Sequence, residues 1–490
     1  MSQPNRRRTA TPLRDQPLPP EGRGSPHTAC CQDTLPSSIG DADVLPARKS
    51  MRRRLTLATL CFCLTLSADA VASDPAFALR SGERILFFGD SITQAGGYLV
   101  DLEVFLLTRF PQCSFTLINH GRSSETISGT SEPDHSPRRP DAHLRFSRDV
   151  AAWKPDVVVA CFGMNDGNYH PLEPQRFALF QRGILRLIDR VHQETAARLV
   201  LLTPPPFDPY RRTASDPHAK DFGYRFPAVD YDRTLEAYSQ WLTALPGQLG
   251  NCLPPPLVVD VHQSLNDHLK KRRNGEVSFY LSSDAVHPGP TGHWLIAQAL
   301  LLAWKAPATV AEALIEGSET PRVQAGAVRD LSVQPDGSIQ FTWTSPLPFP
   351  PAPECDARSL ALERLSERLN RYRLTITGLP SPQYQLKARI AGDDSPPFEG
   401  RFTRDQLAAG LDLTSHDHFP TVVRAREIRT LVARRRQAID EDWRNRIAHG
   451  QDVLPDPAAE TESQRTLDQI RALCQPIGLA IELTPLAAAP

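Results

Sequence analysis

Five short apolar segments alternate with stretches of helical periodicity between residues 85 and 304. The apolar segments lie at 85–88, 115–119, 156–162, 199–203 and 257–261. A short apolar run bounded by Gly, Pro or polar residues is typical of a strand buried on both faces, and alternation with amphipathic helices is typical of a parallel sheet. The sequence therefore predicts an α/β chain: a three-layer α/β/α sandwich around a five-stranded parallel sheet.

The pattern changes after Pro307. A helical turn or two is predicted at Thr309–Ile315, and residues 331–344 alternate around Asp336-Gly337, which is typical of a β-hairpin. Further strands are predicted at 374–379 and 384–390, followed by an Arg-rich helix at 422–447. We expect its Arg434, Arg435 and Arg436 to form a solvated face rather than a surface for an acidic partner.

These patterns predict the domain organisation. The α/β domain spans 80–306, a small C-terminal α+β appendage spans 307–449, and residues 450–490, which are polar and weakly patterned, form a weakly structured tail. Residues 1–50 are rich in Pro, Arg and Ser without periodicity, which predicts disorder. We expect translation to start at Met51, which would make residues 1–50 an untranslated extension.

Residues 51–72 have the three parts of a secretory signal peptide. Three arginines at 52–54 precede the apolar run Leu55–Ala68, which is too short to span a bilayer comfortably, and Ala70-Val71-Ala72 follows. The expected location is therefore secreted or periplasmic, with no stable membrane span after cleavage. The alternative is an uncleaved segment that anchors the chain to a membrane.

The overall charge argues against nucleic acid and membrane surfaces as partners. Lys and Arg number 55 against 56 Asp and Glu, so no global field would attract nucleic acid or a membrane surface. Four of the nine cysteines precede the predicted cleavage point, and the remaining five are widely spaced without a metal-ligand pattern. We expect no metal, no cofactor and no disulfide framework.

Ser91 is the candidate nucleophile. It follows Ile85–Gly89 and Asp90, directly after the first predicted strand, where open α/β sheets place their chemistry. The structural alternative is that Ser91 only caps the next helix, which is the common role of a Ser at such a position.

Further polar residues follow the other predicted strands at the same sheet edge. Gly121 follows the second strand, Asn165 the third, and Asp284 with His287 the fifth. Acyl transfer needs a hydroxyl nucleophile, a base, a group that orients the base, and donors for the developing oxyanion. Ser91, His287 and Asp284 would fill the first three roles. The backbone N–H groups of Ser91 and Gly121 and the Asn165 amide would be the oxyanion donors.

These residues resemble the four sequence blocks of the SGNH, or GDSL-like, esterase and lipase superfamily. The blocks stand here in order as Gly89-Asp90-Ser91-Ile92, Gly121, Gly163-Met164-Asn165-Asp166 and Asp284-Ala285-Val286-His287. The resemblance covers about residues 82–305. It implies a flavodoxin-like sheet and serine hydrolase chemistry without a cofactor. The C-terminal appendage lies outside the resemblance.

The function expected from the residues and the resemblance together is an exported serine esterase. Its substrate would be a small-molecule or carbohydrate ester, with short acyl groups on carbohydrate favoured by the polar, Pro-rich loops. A lipase, lysophospholipase or thioesterase of the same superfamily, an acyltransferase, and a catalytically idle binding module are the alternatives.

Overall fold

The computed structural model describes residues 77–486 except 213–214, 216–217, 251–253, 318 and 449–456. The predicted disordered segment and signal peptide at 1–72 lie outside these residues. None of the helices described in these ranges is long and apolar enough to cross a membrane.

The first half of the chain forms a five-stranded parallel sheet in the order β2-β1-β3-β4-β5. Its strands are β1 (Arg84–Gly89), β2 (Thr116–Gly121), β3 (Val157–Cys161), β4 (Arg198–Leu202) and β5 (Leu257–Val259). Its helices are α1 (Ser91–Ala95), α2 (Gly97–Arg109), α3 (Phe146–Asp149), α4 (Pro174–Glu194), α5 (Tyr231–Ala244), α6 (Val261–Arg273) and α7 (Pro290–Ala303). The predicted three-layer α/β/α fold is confirmed.

The side chains of strand β1 are buried on both faces of the sheet. Ile85, Leu86, Phe87 and Phe88 are each at most 1% exposed. Ile85 and Phe87 pack into the apolar cluster with α2 and α7, whereas Leu86 and Phe88 pack into the cluster with α4. Because both faces of the sheet are covered by helices, the strand carries no polar alternation.

The second half contains two further sheets. One has the order β13-β10-β6-β7 and the other the order β12-β11-β14-β9-β8. The strands are β6 (Thr309–Glu316), β7 (Arg322–Gln324), β8 (Ala327–Val333), β9 (Ile339–Ser345), β10 (Arg371–Thr377), β11 (Gln383–Ile390), β12 (Phe398–Thr403), β13 (Leu411–Asp412) and β14 (Ile477–Pro485). The helices are α8 (Ala357–Leu362), α9 (Leu365–Arg368), α10 (Arg404–Ala409), α11 (Pro420–Ala448) and α12 (Pro457–Leu473).

The hairpin predicted around Asp336-Gly337 is confirmed as the antiparallel pair β8 and β9. The helical turns predicted at Thr309–Ile315 are wrong, because this segment is strand β6, paired in parallel with β10. Its buried residues Val310, Ala311, Ala313 and Ile315 pack into the core between the two sheets. Tertiary packing overrides the helical preference of its Ala and Leu residues here.

Two expectations for the C-terminal region also need correction. The segment predicted as a weakly structured tail contains α12 and β14, and β14 lies between β9 and β11 in its sheet. Its alternating Leu479, Ile481 and Leu483 are buried, so the strand is held by non-local pairing. The predicted solvated Arg face of α11 holds for Arg434, which is exposed. It is wrong for the other two residues, because Arg436 is only 2% exposed and Arg435 pairs with Glu103 of α2.

Candidate active site

Ser91 lies at the start of α1, where the chain leaves β1. Asp90 caps this helix, with its Oδ1 accepting the Ile92 N–H at 2.9 Å, so the capping role belongs to Asp90 and not to Ser91. Burial raises the pKa of the Asp90 carboxyl to about 7. The short helix ends at Gly96, whose φ of 75° suits a residue without a side chain. Ser91 is thereby presented at the carboxyl edge of the sheet, partly exposed.

The structure brings Ser91, His287 and Asp284 into one hydrogen-bonded line. Ser91 Oγ lies 2.8 Å from His287 Nε2, and His287 Nδ1 lies 2.6 Å from Asp284 Oδ2. The other oxygen of Asp284 accepts the backbone N–H groups of Val286 and His287 at 3.0 and 2.8 Å. These bonds fix the carboxylate, which in turn favours the imidazole tautomer with a proton on Nδ1 and an acceptor at Nε2.

The same contacts set the titration of the pair. The hydrogen bond to Asp284 raises the pKa of His287, and partial burial opposes this shift without cancelling it. Burial alone would raise the pKa of Asp284, but the hydrogen bonds from His287 and Val286 outweigh it and hold that pKa well below its usual range. Asp284 is therefore a carboxylate whenever His287 is neutral, which is the charge state that a Ser-activating base needs.

The side-chain amide of Asn165 is held by three partners. Its Oδ1 accepts from Arg139 Nη1 at 3.0 Å and from the Tyr169 hydroxyl at 3.2 Å, and its Nδ2 donates to the Glu125 carbonyl at 3.1 Å. With both acceptor positions occupied, the amide cannot exchange its oxygen and nitrogen without losing bonds. The second N–H of Nδ2 has no partner among the described residues, so it remains available to a ligand.

Arg139 is itself fixed by a buried ion pair. Its Nε and Nη2 donate to the two carboxylate oxygens of Glu132 at 2.5 and 2.6 Å, and both side chains are at most 2% exposed. Such a bidentate pair orients the guanidinium plane. The remaining Nη1 reaches Asn165 and also the Ser124 carbonyl at 3.3 Å. Sequence reasoning missed Arg139 and Glu132, which come from the Pro-rich loop at 131–140.

Gly121 does not provide the predicted free donor. Its N–H donates to Asn119 Oδ1 at 3.0 Å, within a tight turn at the end of β2. The reason for a glycine here is steric, because a Cβ at this position would lie 2.1 Å from the Gln94 backbone nitrogen. Gly121 therefore lets the loop pack against α1, and its N–H is already occupied.

Ser124, three residues later, has a free backbone N–H, whereas the N–H of Gly121 is occupied. Its φ is 64°, and its N–H finds no acceptor among the described residues. Ser124 lies next to Asn165, since Arg139 Nη1 bridges the Ser124 carbonyl and the Asn165 amide. No sequence signal indicates this role, because positive φ is expected at Gly or Asn rather than at Ser.

The aromatic residues of the loop at 206–229 are divided between buried and exposed positions, with Tyr210 82% and Phe226 59% exposed. Phe207 and Phe222 are at most 7% exposed, and Phe207 contacts Tyr231 with ring centroids 5.6 Å apart. Tyr224 reaches the triad, with its hydroxyl 3.5 Å from Asp284 Oδ2. Phe207 and Phe222 therefore belong to the apolar core of the fold.

A second Ser-His-acid cluster shows that such geometry alone does not make a site. Ser359 Oγ lies 2.9 Å from His268 Nε2, and His268 Nδ1 lies 2.9 Å from Glu363. Ser359 and His268 are both 0% exposed, and Ser359 donates to Asp356. This cluster ties α6 to α8, and no substrate can reach its hydroxyl.

The five-stranded parallel sheet, with Ser91, His287 and Asp284 at its carboxyl edge, has the form of an SGNH hydrolase. Residues 87–295 match the model of the GDSL-like lipase/acylhydrolase family, which supports the SGNH hydrolase superfamily for this part of the chain. The family consists of acylhydrolases, which supports a carboxylic ester hydrolase.

One relative by sequence and two solved structures are similar to this chain. An acetylxylan esterase from Geobacillus stearothermophilus is 25% identical over 254 residues, 46% of this chain and 94% of the relative. The crystal structure of that organism's esterase Axe2 has a TM-score of 0.34 at 23% identity, covering 46% of this chain and 96% of its own. The structure of a gut microbial diltiazem-metabolizing enzyme has a TM-score of 0.68 at 18% identity, covering 83% of this chain and 98% of its own. The last similarity extends the shared fold beyond residues 87–295.

Proposed function

We propose that this protein is an exported serine esterase that removes short acyl groups from carbohydrate esters through an acyl-Ser91 intermediate. The observation that carries the proposal is the line from Ser91 Oγ through His287 to Asp284, with distances of 2.8 and 2.6 Å. The family match supports ester hydrolysis in general.

In the proposed first half-reaction, His287 Nε2 takes the Ser91 proton as Oγ attacks the ester carbonyl carbon. The carbonyl oxygen becomes an oxyanion and then re-forms the double bond as the alcohol leaves with the proton from His287. Water repeats the sequence in the second half-reaction, which releases the carboxylic acid and restores Ser91. Asp284 stays ionised and stabilises the imidazolium.

Three donors would stabilise the oxyanion in this mechanism. The first two are the Ser91 N–H and the free N–H of Asn165 Nδ2. The Ser124 N–H is the third, in place of the Gly121 N–H, because that group already donates to Asn119. Fixed donors of this kind provide a large part of the rate enhancement in acyl transfer.

Two observations support a short acyl group on a carbohydrate. The similarity to an acetylxylan esterase favours a carbohydrate acetate. The inward packing of Phe207 and Phe222 leaves these rings unable to line a long acyl channel. A lipase, lysophospholipase or thioesterase would need such a channel or a thioester site.

The first test is hydrolysis of p-nitrophenyl acetate by protein expressed from Ser73 onward, with Ser91→Ala as the matched variant. We expect turnover by the unchanged protein and none by a folded Ser91→Ala protein. Turnover by both would refute the acyl-Ser91 mechanism, and turnover by neither would favour a binding module.

The substrate class is tested with two further panels. Acetylated xylo-oligosaccharides should be deacetylated, and acyl esters of increasing length should be cleaved more slowly as the chain grows. Faster cleavage of long chains would refute the carbohydrate proposal. Transfer of acetate to a sugar acceptor, detected by product analysis, would identify an acyltransferase.

Export is supported by the arginines at 52–54, the apolar run at 55–68 and Ala70-Val71-Ala72. Expression of the full coding sequence followed by cell fractionation and N-terminal sequencing tests this part. A mature chain that begins near Ser73 outside the cytoplasm is expected. An unprocessed chain in the membrane fraction would support the anchored alternative instead.

A further inference from the structure

One face of helix α11 contacts the last residues of β2, directly before the loop that contains Ser124. Arg436, Asp440 and Trp443 lie on this face, since positions three and four apart share one side of a helix. All three side chains are buried. Helix α11 belongs to the C-terminal appendage, outside the part of the chain that matches the acylhydrolase family.

Asp440 connects α11 to the turn at the end of β2. Its Oδ2 accepts from Asn119 Nδ2 at 2.9 Å, and Asn119 Oδ1 accepts the Gly121 N–H at 3.0 Å. An amide whose nitrogen faces a carboxylate must turn its oxygen the other way. Asp440 therefore sets the orientation of Asn119, and Asn119 in turn sets the Gly121 turn.

The neighbouring residues of β2 are held by the same helix. Arg436 Nη1 donates to the Leu117 carbonyl at 3.2 Å and to Glu103 of α2 at 2.9 Å. The Trp443 indole stacks on the His120 ring at 4.2 Å with an interplanar angle of 8°. Leu117, Asn119 and His120 are thus each fixed by a residue of α11.

The loop after Gly121 carries this constraint to the oxyanion donors. The Ser123 N–H donates to Gln94 Oε1 on α1 at 2.7 Å, and the Ser124 carbonyl accepts from Arg139, which also holds Asn165. The contacts from Asp440 to the Ser124 peptide are therefore continuous through hydrogen bonds and the backbone of the two residues between Gly121 and Ser124.

We infer that α11 is a positioning element of the active site, in which Asp440 orients Asn119 and thereby places the loop that carries the Ser124 N–H. The inference rests on the proposed function, since it concerns the geometry of the oxyanion donors. It gives the C-terminal appendage a role in turnover in addition to its packing.

The chemistry of Asp440 supports positioning over simple attachment. Burial raises the pKa of this carboxyl, and the nearby Arg436 guanidinium opposes the shift. Burying a carboxylate is costly, and an apolar side chain would attach a helix to a sheet at least as well. The buried carboxylate provides what an apolar side chain cannot, a directed acceptor for the Asn119 amide.

The test compares Asp440→Ala, Asp440→Asn and a matched control, Arg429→Met. Arg429 also joins α11 to the α/β domain through a buried ion pair, with its Nη1 2.7 Å from Asp101 of α2. The control therefore removes a buried polar contact between α11 and the α/β domain, but one that is made to α2 and not to β2. Acetyl ester turnover is measured with the active sites counted by burst titration, so that only folded molecules contribute to kcat.

We expect Asp440→Ala to lower kcat by about 10- to 100-fold with KM changed little, because a misplaced donor weakens transition-state binding. Asp440→Asn keeps an acceptor oxygen and should restore most of kcat. Arg429→Met should lower thermal stability and leave kcat unchanged. Equal losses of kcat in Asp440→Ala and Arg429→Met would overturn the inference, as would unchanged kcat in Asp440→Ala.

Hydrogen exchange separates failure of this inference from failure of the proposed function. Asp440→Ala should speed exchange of the Gly121 amide relative to Arg429→Met, whether or not the protein hydrolyses esters. Faster exchange in a protein without esterase activity would refute only the proposed function. Unchanged exchange at Gly121 would refute the positioning role of Asp440.

Discussion

Arg139 Nη1 donates to Asn165 Oδ1 at 3.0 Å, while the rest of the guanidinium is held by Glu132. The bond leaves Asn165 with its nitrogen pointing away from Arg139, and a cation at Oδ1 polarises the amide so that its free N–H is a stronger donor. An interaction of this kind gains importance when negative charge develops nearby, as it does on the carbonyl oxygen during acyl transfer.

Replacing Arg139 by Met should therefore lower kcat for acetyl esters by about 10- to 100-fold with little change in KM. Arg139→Lys should not restore kcat, because an ammonium group cannot bond Glu132 in bidentate form and reach Asn165 as well. Steady-state kinetics measures both. The double variant Glu132→Gln, Arg139→Met removes the unpaired buried carboxylate, so a loss of kcat that persists there is not a folding defect. Full recovery in that double variant would contradict the positioning role.

Asn165→Ala removes the donor itself and should lower kcat by roughly 100- to 1000-fold, the usual effect of one lost oxyanion donor. The rate of acyl-enzyme formation, measured in a single turnover, should fall by a similar factor. An Asn165→Ala protein that forms the acyl-enzyme at the normal rate would exclude Asn165 from the oxyanion site.

Ser124→Gly should leave kcat within about threefold of the unchanged protein, because only the backbone N–H is used and Gly adopts a φ of 64° readily. The same steady-state assay with p-nitrophenyl acetate measures this effect. A large loss would show that the Ser124 hydroxyl takes part and that the backbone explanation is wrong.

The pH dependence follows from the raised pKa of His287. Only the neutral imidazole can accept the Ser91 proton, so kcat/KM should fall as the pH drops through a value above the ordinary His pKa of about 6.5. Asp284→Asn removes the carboxylate charge, and with it the charge-assisted hydrogen bond that raises this pKa. For the Asp284→Asn protein we expect kcat/KM to fall at a lower pH than in the unchanged protein. Its maximal kcat/KM should be reduced by orders of magnitude. A fall at the same pH in both proteins would contradict the assignment of the titration to His287.

Gly121→Ala should impair both folding and activity, since the new Cβ would meet the Gln94 backbone nitrogen at 2.1 Å. Overpacking of this kind costs about 1–3 kcal/mol of unfolding free energy, measured by denaturant titration. Gly247→Ala is the matched control because nothing lies within 4 Å of its added Cβ. Equal stability of the two variants would show that the loop yields easily.

Much of the α/β domain could be predicted because its signals are local. The run Ile85–Phe88 and the β-branched Val157–Val159 are buried strands by composition alone, and residues at strand ends of a parallel sheet meet at one edge. That reasoning was enough to bring Ser91, Asp284 and His287 together. It took no account of where each N–H points.

The contacts that the sequence did not reveal are those between distant residues or those set by backbone angles. Gly121 has the expected position, but its N–H is taken by Asn119, and the substitute at Ser124 depends on a φ that its residue type does not favour. Asp440 lies 321 residues from Asn119, and its helix looks like a solvated Arg-rich segment by composition. Pairings of this kind become visible only once the chain has folded.

Strand β14 has a consequence for how the protein is made. It lies between β9 and β11, with seven residue pairs to each, although more than eighty residues separate it from either strand along the chain. A nascent chain that has not yet emerged past residue 477 leaves both neighbouring strands with open hydrogen-bonding edges, which are prone to aggregation. Messenger truncation anywhere upstream of that residue therefore yields a product without the centre of its last sheet, even where every residue of the Ser91 site has been synthesised.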